Sequence, residues 1–478
     1  MTEIFQDFGK YDALGLADLV RRKEVKPIEL VETVIERIER INPQLNCVVL
    51  KYYELARDMA QGSLPDGQFT GVPFLLKDIL LLWGGVKMTA ACRYLKDFVA
   101  PDDSVVVQRI KQAGMILVGK TNTPEQGLNI TTEPVLYGPT KNPWNLKHVA
   151  GGSSGGSGAA VAARILPLAD ANDGGGSIRI PASNNGVVGL KPCRGRVTLA
   201  PHYGDFWYGG AIGNCVSLTV RDTAAYLDVI AGPVPGDPYQ PPKPERPFLE
   251  EVSIDPGKLK IGFTSKSPLG VPTDPACVAA VEKAVKLCSD LGHDVSGMEF
   301  TFDENVLLDV FIRTAAVLGV ASLGFMEMLV GRPPTEADFE KATWEVLEMG
   351  KPISGSQHAM DVEMLRQFSR QIAGECEPYD IVLTPTQPNP PVKLGTYNQN
   401  ELSIDALMEV MSPGISFTLP LNVSGQPAMS LPLHWTDDGL PVGVQLIGRC
   451  AEEATIFRLA GQLEKAQPWI DRKPPVCA

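Results

Sequence analysis

Gly151-Gly152-Ser153-Ser154-Gly155-Gly156-Ser157, followed by Asp173-Gly174-Gly175-Gly176-Ser177-Ile178-Arg179-Ile180-Pro181, is the stretch on which the reading of this 478-residue chain depends. Hydroxyls set among glycines mean bare backbone with exposed N–H groups, the materials of a serine nucleophile beside an oxyanion hole. Such glycine has a competing use, the wrapping of phosphate. Nucleotide loops of that kind close on Lys followed by Ser or Thr, and neither cluster has that Lys. A third reading is a glycine-rich turn entering a buried helix, because Gly158-Ala159-Ala160-Val161-Ala162-Ala163 follows the first cluster.

Upstream, Gly71-Val72-Pro73-Phe74-Leu75-Leu76-Lys77-Asp78 places one Lys behind an apolar run. Lys is rarely buried without a partner. Lys77 therefore either snorkels to solvent or is a desolvated amine whose lowered pKa suits it to general-base work.

Taken together these elements resemble the amidase signature family of Ser-Ser-Lys hydrolases. The matching pieces include Gly119-Lys120-Thr121-Asn122-Thr123-Pro124-Glu125, Gly186-Val187-Val188-Gly189-Leu190-Lys191-Pro192, Leu383-Thr384-Pro385-Thr386, Leu421 to Ala428 and Gly439 to Gly448, so the resemblance covers nearly the whole chain. A lone Gly-Gly-Ser-Ser-Gly-Gly is common, but this order of elements, with Ser177 placed 24 positions after Ser153, is specific. Within the family, Asn172-Asp173, Asn142 to Leu146 and Pro420 to Pro427 are most similar to the 6-aminohexanoate cyclic-dimer hydrolase branch.

The resemblance implies Ser177 as nucleophile, Ser153 as proton relay after a cis peptide, and Lys77 as base. It also implies an oxyanion hole of the amides of Gly174, Gly175, Gly176 and Ser177, with no metal and no organic cofactor. Gly174 stands where the family usually carries a side chain. Asp173 and Arg179 read as pins of the nucleophile loop rather than substrate ligands. The fold implied is α/β: one large α/β/α domain over residues 1–478, a twisted mixed sheet flanked by helices. Residues 1–65 form a helical N-terminal part, and about 299–358, where no family motif falls, a variable helical region able to build substrate walls. Trp207, Thr314, Val317 and Leu318 are the candidate pocket residues.

The expected activity is hydrolysis of a linear or cyclic non-peptide amide through an acyl-enzyme, with ester or carbamate cleavage as side activities. The alternative within the same motifs is the amidase subunit of a glutamine-dependent tRNA amidotransferase. A non-catalytic scaffold is a third class, disfavoured by intact Lys77, Ser153 and Ser177. A Ser-His-Asp mechanism ranks low, because the five histidines fall in no motif and Gly-x-Ser-x-Gly is not cleanly placed.

Composition agrees. A net charge of −13 argues against nucleic acid or an anionic membrane as partner. The nine cysteines show no metal spacing and read as reduced, mostly buried thiols. The N-terminus lacks the basic and apolar regions of a signal peptide, and the longest apolar stretch, Ala315 to Met326, reads as too short to span a bilayer and as a core or pocket helix. The expectations are a cytoplasmic enzyme acting on a small-molecule amide, with no nucleic acid and no membrane insertion; a homodimer is compatible with them.

Periodicity supplies the local expectations. Pro27 to Ile41 carries a helical apolar stripe, and Ser104 is placed to cap a helix Val105 to Ala113 that feeds a strand Met115 to Val118. Leu259 to Phe263 reads as a strand, followed by a helix capped by Asp274 and ended by Gly292. Residues 232–247 read as a surface connection. Strand–helix–strand spacing implies a largely parallel or mixed sheet covered on both faces.

Overall fold

The computed structural model describes residues 4–478. Its centre is an eight-stranded mixed sheet in the order Asp294–Gly297, Lys260–Phe263, Ile381–Pro385, Pro441–Gly448, Ala428–Trp435, Val188–Lys191, Ile212–Ser217, Leu168–Asp173. The first three strands run parallel and the remaining neighbours pair antiparallel. A three-stranded sheet, Val48–Lys51, Ile116–Thr121 and Pro73–Lys77, sits beside the last of these strands.

Local chemistry explains the helices that frame the sheet. The helix Pro27–Leu45 begins on a proline, takes its Lys26 amide into the Glu29 carboxylate, and ends where Asn46 turns left-handed at φ 53°. Asp274 caps Pro275–Asp290 by accepting from the Ala276 amide, and Gly292 follows at φ 95°. Ser104 precedes Val105–Gln112 as expected, yet its hydroxyl accepts from the Leu82 amide rather than capping the helix. The N-terminal part is not purely helical: Val48–Lys51 pairs with Ile116–Thr121.

The strand Pro73–Lys77 is buried at all five positions and runs parallel to Ile116–Thr121 with Lys77 opposite Thr121. Buried lysine at a strand end is therefore a fact of the fold. Next to it the helix Gly155–Ala162 is buried throughout. Gly156 allows that close approach, since a Cβ there would lie 2.4 Å from the Asn122 nitrogen.

The region about 299–358 is dominated by the 27-residue helix Glu304–Val330, which packs against Lys341–Gly350 and Gly355–Cys376. This corrects the length read from sequence. The helix continues either side of Ala315 to Met326 because Asp303 caps its start and Gly331 ends it left-handed, and by length and composition it is apolar enough to cross a membrane. Its tip exposes Phe325, Met328 and Leu329. Seven of the nine cysteines are buried, and all nine are free thiols, in keeping with the reading of reduced packing residues.

Candidate active site

Three elements meet at one point: the end of strand Pro73–Lys77, the turn before helix Gly155–Ala162, and the loop between strand Leu168–Asp173 and helix Arg179–Asn185. Lys77 and Ser153 are in direct contact, Nζ to Oγ 2.6 Å. Ser153 and Ser177 line the same cavity, and the Ser154 amide donates to the Ser177 carbonyl at 3.3 Å, which ties the two serine loops together. The Gly152–Ser153 peptide is cis.

Lys77 is fully buried, and burial lowers its pKa to about 7 against the opposing pull of Asp170 and Asp173. Near neutrality a large share of the amine is then unprotonated, with a lone pair to offer. Asn172 sets where that lone pair points: its Oδ1 accepts from Lys77 Nζ at 2.8 Å, which leaves the lone pair for Ser153. The backbone amide of Lys77 donates to Asp170 Oδ2 at 3.1 Å. Asp170 and Asn172 stand two apart on one strand, so both face Lys77.

Behind Lys77 lies a second buried lysine. Lys120 is 3.5 Å from Asp78, both wholly enclosed; burial lowers the lysine and raises the carboxyl. Thr89 donates to Asp78 through its amide and hydroxyl. Asp78 directly follows Lys77 in the chain, and the pair bonds to neither catalytic serine.

The nucleophile loop is held from beneath. Arg179 grips Asp173 through Nε (2.9 Å) and Nη2 (2.9 Å), and directs its remaining donors to Gln445, Asn422 and the Thr418 carbonyl. Burial alone pushes Asp173 up, but the Arg179 charge and the hydrogen bonds from Arg179 and Asn422 outweigh it and hold the carboxyl well below the usual carboxylate range. Asp173 and Arg179 are thus placed as pins.

One expected oxyanion donor is committed elsewhere. The Gly176 amide donates to Asp173 Oδ1 at 2.8 Å, because the loop folds its third glycine back over the pin. The amides of Gly174, Gly175 and Ser177 make no such bond among the described residues. Gly176 itself is needed for shape: at φ 132°, a Cβ would come within 2.5 Å of Thr418 Oγ1.

The cavity above these serines, about 240 Å³, is walled by Ile79, Leu80, Met88, Leu318 and Met326, with Gln126, Asn172, Tyr203, Asp205 and Ser322 as further polar points. Of the pocket residues read from sequence, Trp207 and Leu318 line this cavity, Thr314 lines a neighbouring one that shares Trp207, and Val317 lines neither. Trp207 sits against Gly174 and makes an edge-to-face contact with Phe311, ring centroids 5.5 Å apart. None of the five histidines lines the catalytic cavity. Sequence reasoning placed Asn172 by resemblance only and missed its contact with Lys77. The signal was present as two polar residues, Asp170 and Asn172, two apart and so on one face of the strand Leu168–Asp173.

Known proteins share this architecture. The model of the amidase family matches residues 29–457. A 6-aminohexanoate-cyclic-dimer hydrolase of Pseudomonas sp. (strain NK87) is 39% identical over 97% of this chain and 96% of its own length. A solved structure of 6-aminohexanoate cyclic dimer hydrolase complexed with substrate superposes with a TM-score of 0.94 at 38% identity, covering 98% of this chain and 100% of that one. A glutamyl-tRNA(Gln) amidotransferase component from Thermotoga maritima shares the fold at a TM-score of 0.77 and 27% identity, covering 100% of both chains.

Proposed function

The chain belongs to the amidase family, and from that premise we propose that it opens an uncharged aliphatic amide, linear or cyclic, through an acyl-enzyme on Ser177. It is an amide hydrolase acting on non-peptide C–N bonds, and the greater likeness to the cyclic-dimer hydrolases sets aside the amidotransferase reading. The cyclic dimer of 6-aminohexanoate is the substrate we assign, since that uncharged ring, two amides joined by methylene runs, suits a cavity with apolar walls and few polar points.

The observation that carries the mechanism is the 2.6 Å contact between enclosed Lys77 and Ser153. Neutral Lys77 accepts the Ser153 proton as Ser153 Oγ takes the proton of Ser177. Ser177 Oγ attacks the amide carbonyl, and the carbonyl oxygen, now negative, is met by the free amides of the glycine loop. The relay then runs in reverse. Lys77 returns its proton through Ser153 to the leaving nitrogen, the C–N bond breaks, and water attacks the Ser177 ester by the same path. Asn172 accepts from Lys77 Nζ whether the amine is neutral or protonated, which keeps it turned towards Ser153 through the cycle.

The test is turnover by the purified chain, followed as release of primary amine from the cyclic dimer and from a panel of linear amides. Cleavage of the cyclic dimer with kcat/KM at or above that of simple linear amides is expected. Turnover of linear amides alone would overturn the substrate assignment, and no turnover of any amide would overturn the mechanism.

A further inference from the structure

A second cavity, about 130 Å³, shares the Trp207 wall but contains neither catalytic serine. A cavity near 150 Å³ holds benzene, so this one has room for about six non-hydrogen atoms, more where it opens to solvent. Its chemistry is asymmetric. Arg194 and Arg366 both line it, and no Asp or Glu does.

Arg194 forms no ion pair among the described residues. Its Nη2 donates to the carbonyls of Val423 (2.7 Å) and Asn422 (3.1 Å), and its guanidinium lies 5.6 Å from the Tyr239 ring. Those partners orient the group without neutralising it. Arg366 reaches only Glu363, at 3.9 Å on the exposed side. The carboxylate of Asp205 accepts from Tyr239 but lines the catalytic cavity instead.

Thr314 supplies an independent observation. It is 3% exposed, it lines this cavity, and its Oγ1 has no hydrogen-bond partner among the described residues. Buried hydroxyls are nearly always paired; this one is sealed as it stands, and a turn about χ1, where helical Thr has two accessible rotamers, is what would bring it to a ligand in the cavity. Phe311, Val362 and Leu365 give the lining apolar surface, and Ser369 and Asn422 add uncharged polar groups.

We propose that this cavity binds a short aliphatic carboxylate, its anion held by Arg194 and Arg366, Thr314 Oγ1 donating to it, and its chain laid on Phe311 and Val362. Phosphate and sulfate fit less well, because half the wall is apolar. The occupant is a short free carboxylate and not the ring-opened linear dimer, which is far longer than this chamber, so the anion site does not rest on the function proposed above. Because the site lies one indole away from the catalytic cavity, Trp207 is the shared partition between acid bound and amide cleaved.

The experiment is calorimetric titration of the full chain with butyrate after Ser177 has been blocked by a small phosphonate, with butyramide as the neutral match. Saturable butyrate binding is expected, with butyramide weaker by about tenfold, the usual worth of one hydrogen bond to a charged group. Thr314→Val and Arg366→Gln, which leave the Arg194 braces in place, are each expected to weaken butyrate several-fold. Equal binding of butyramide, no saturable binding, or indifference to both substitutions would overturn the site. If the phosphonate fails to label Ser177 while unblocked protein binds butyrate in a Thr314-dependent way, the nucleophile assignment falls and the second site stands.

Discussion

Trp207 occupies the space that a side chain on residue 174 would need: a Cβ built on Gly174 comes within 2.9 Å of the indole Cε3 and Cζ3. The family's usual side chain at this position and this indole are therefore mutually exclusive in one geometry. Both Trp207 and Tyr208 also hold positive φ, 52° and 53°, a conformation bulky residues seldom adopt.

Gly174→Ala is expected to displace Trp207 and alter the ranking of acyl groups, by about 1 to 3 kcal/mol in transition-state energy per altered apolar contact. Comparing kcat/KM across a series of acyl chain lengths checks it. Labelling of Ser177 by a small phosphonate should change little, and a collapse of labelling would mean that residue 174 shapes the nucleophile loop instead of the pocket.

Substitutions at Trp207 and Leu318 should reorder acyl preference by similar amounts, since both side chains line the catalytic cavity. Val317→Ala should leave the ranking unchanged, because its side chain faces neither cavity. Measuring both on the same substrates separates pocket from scaffold.

The pH profile follows from Lys77. With its pKa lowered by burial to about 7, kcat/KM is expected to rise through neutrality as the amine loses its proton, and to level off above. Asp170, which burial pushes up to about 7, titrates together with Lys77 and raises the lysine when ionised, so Asp170→Asn should leave a single rising limb moved towards acid. A limb that stays in place in Asp170→Asn would assign the titration to another group.

Ser177→Ala should abolish turnover while leaving a folded protein, and Lys77→Ala should cost amides more than activated esters, because only the amide needs its leaving nitrogen protonated. Equal losses on a matched amide and ester would count against the relay.

Arg179→Gln is expected to destabilise the fold by about 3 to 5 kcal/mol, since it leaves buried Asp173 without its charge partner. Denaturant unfolding measures this. In the unsubstituted chain the Asp173 contribution is present above the carboxyl's ordinary pKa near 3.8 and is lost as pH falls through the lowered folded value. Acid unfolding should therefore set in at higher pH in Arg179→Gln.

Much of the fold and of the site was legible because the features that carry them are local. Glycine clusters, a lysine behind an apolar run, and caps such as Asp274 announce themselves over a few residues. What escaped depends on contacts between distant segments. The Gly176 amide turns away from the oxyanion position only because Asp173 is held by Arg179 and Asn422, the latter 249 positions away. Thr314 and Leu318, four apart on one helix, were read as one wall, yet they open on different cavities because Trp207 stands between them. Helix length was misread for a simpler reason: the apolar core of Glu304–Val330 ends before its caps do.

That helix carries the linings of both cavities in sequence, Phe311 to Ala315 for one and Leu318 to Leu329 for the other. Each residue advances an α-helix by about 100° and 1.5 Å, so inserting or deleting a single residue near its start would rotate both linings out of place together. Side-chain replacement can retune either chamber separately, whereas a change of chain length cannot. The part of specificity that this helix carries is thereby open to point substitution, while changes of length fall to the loops at its ends.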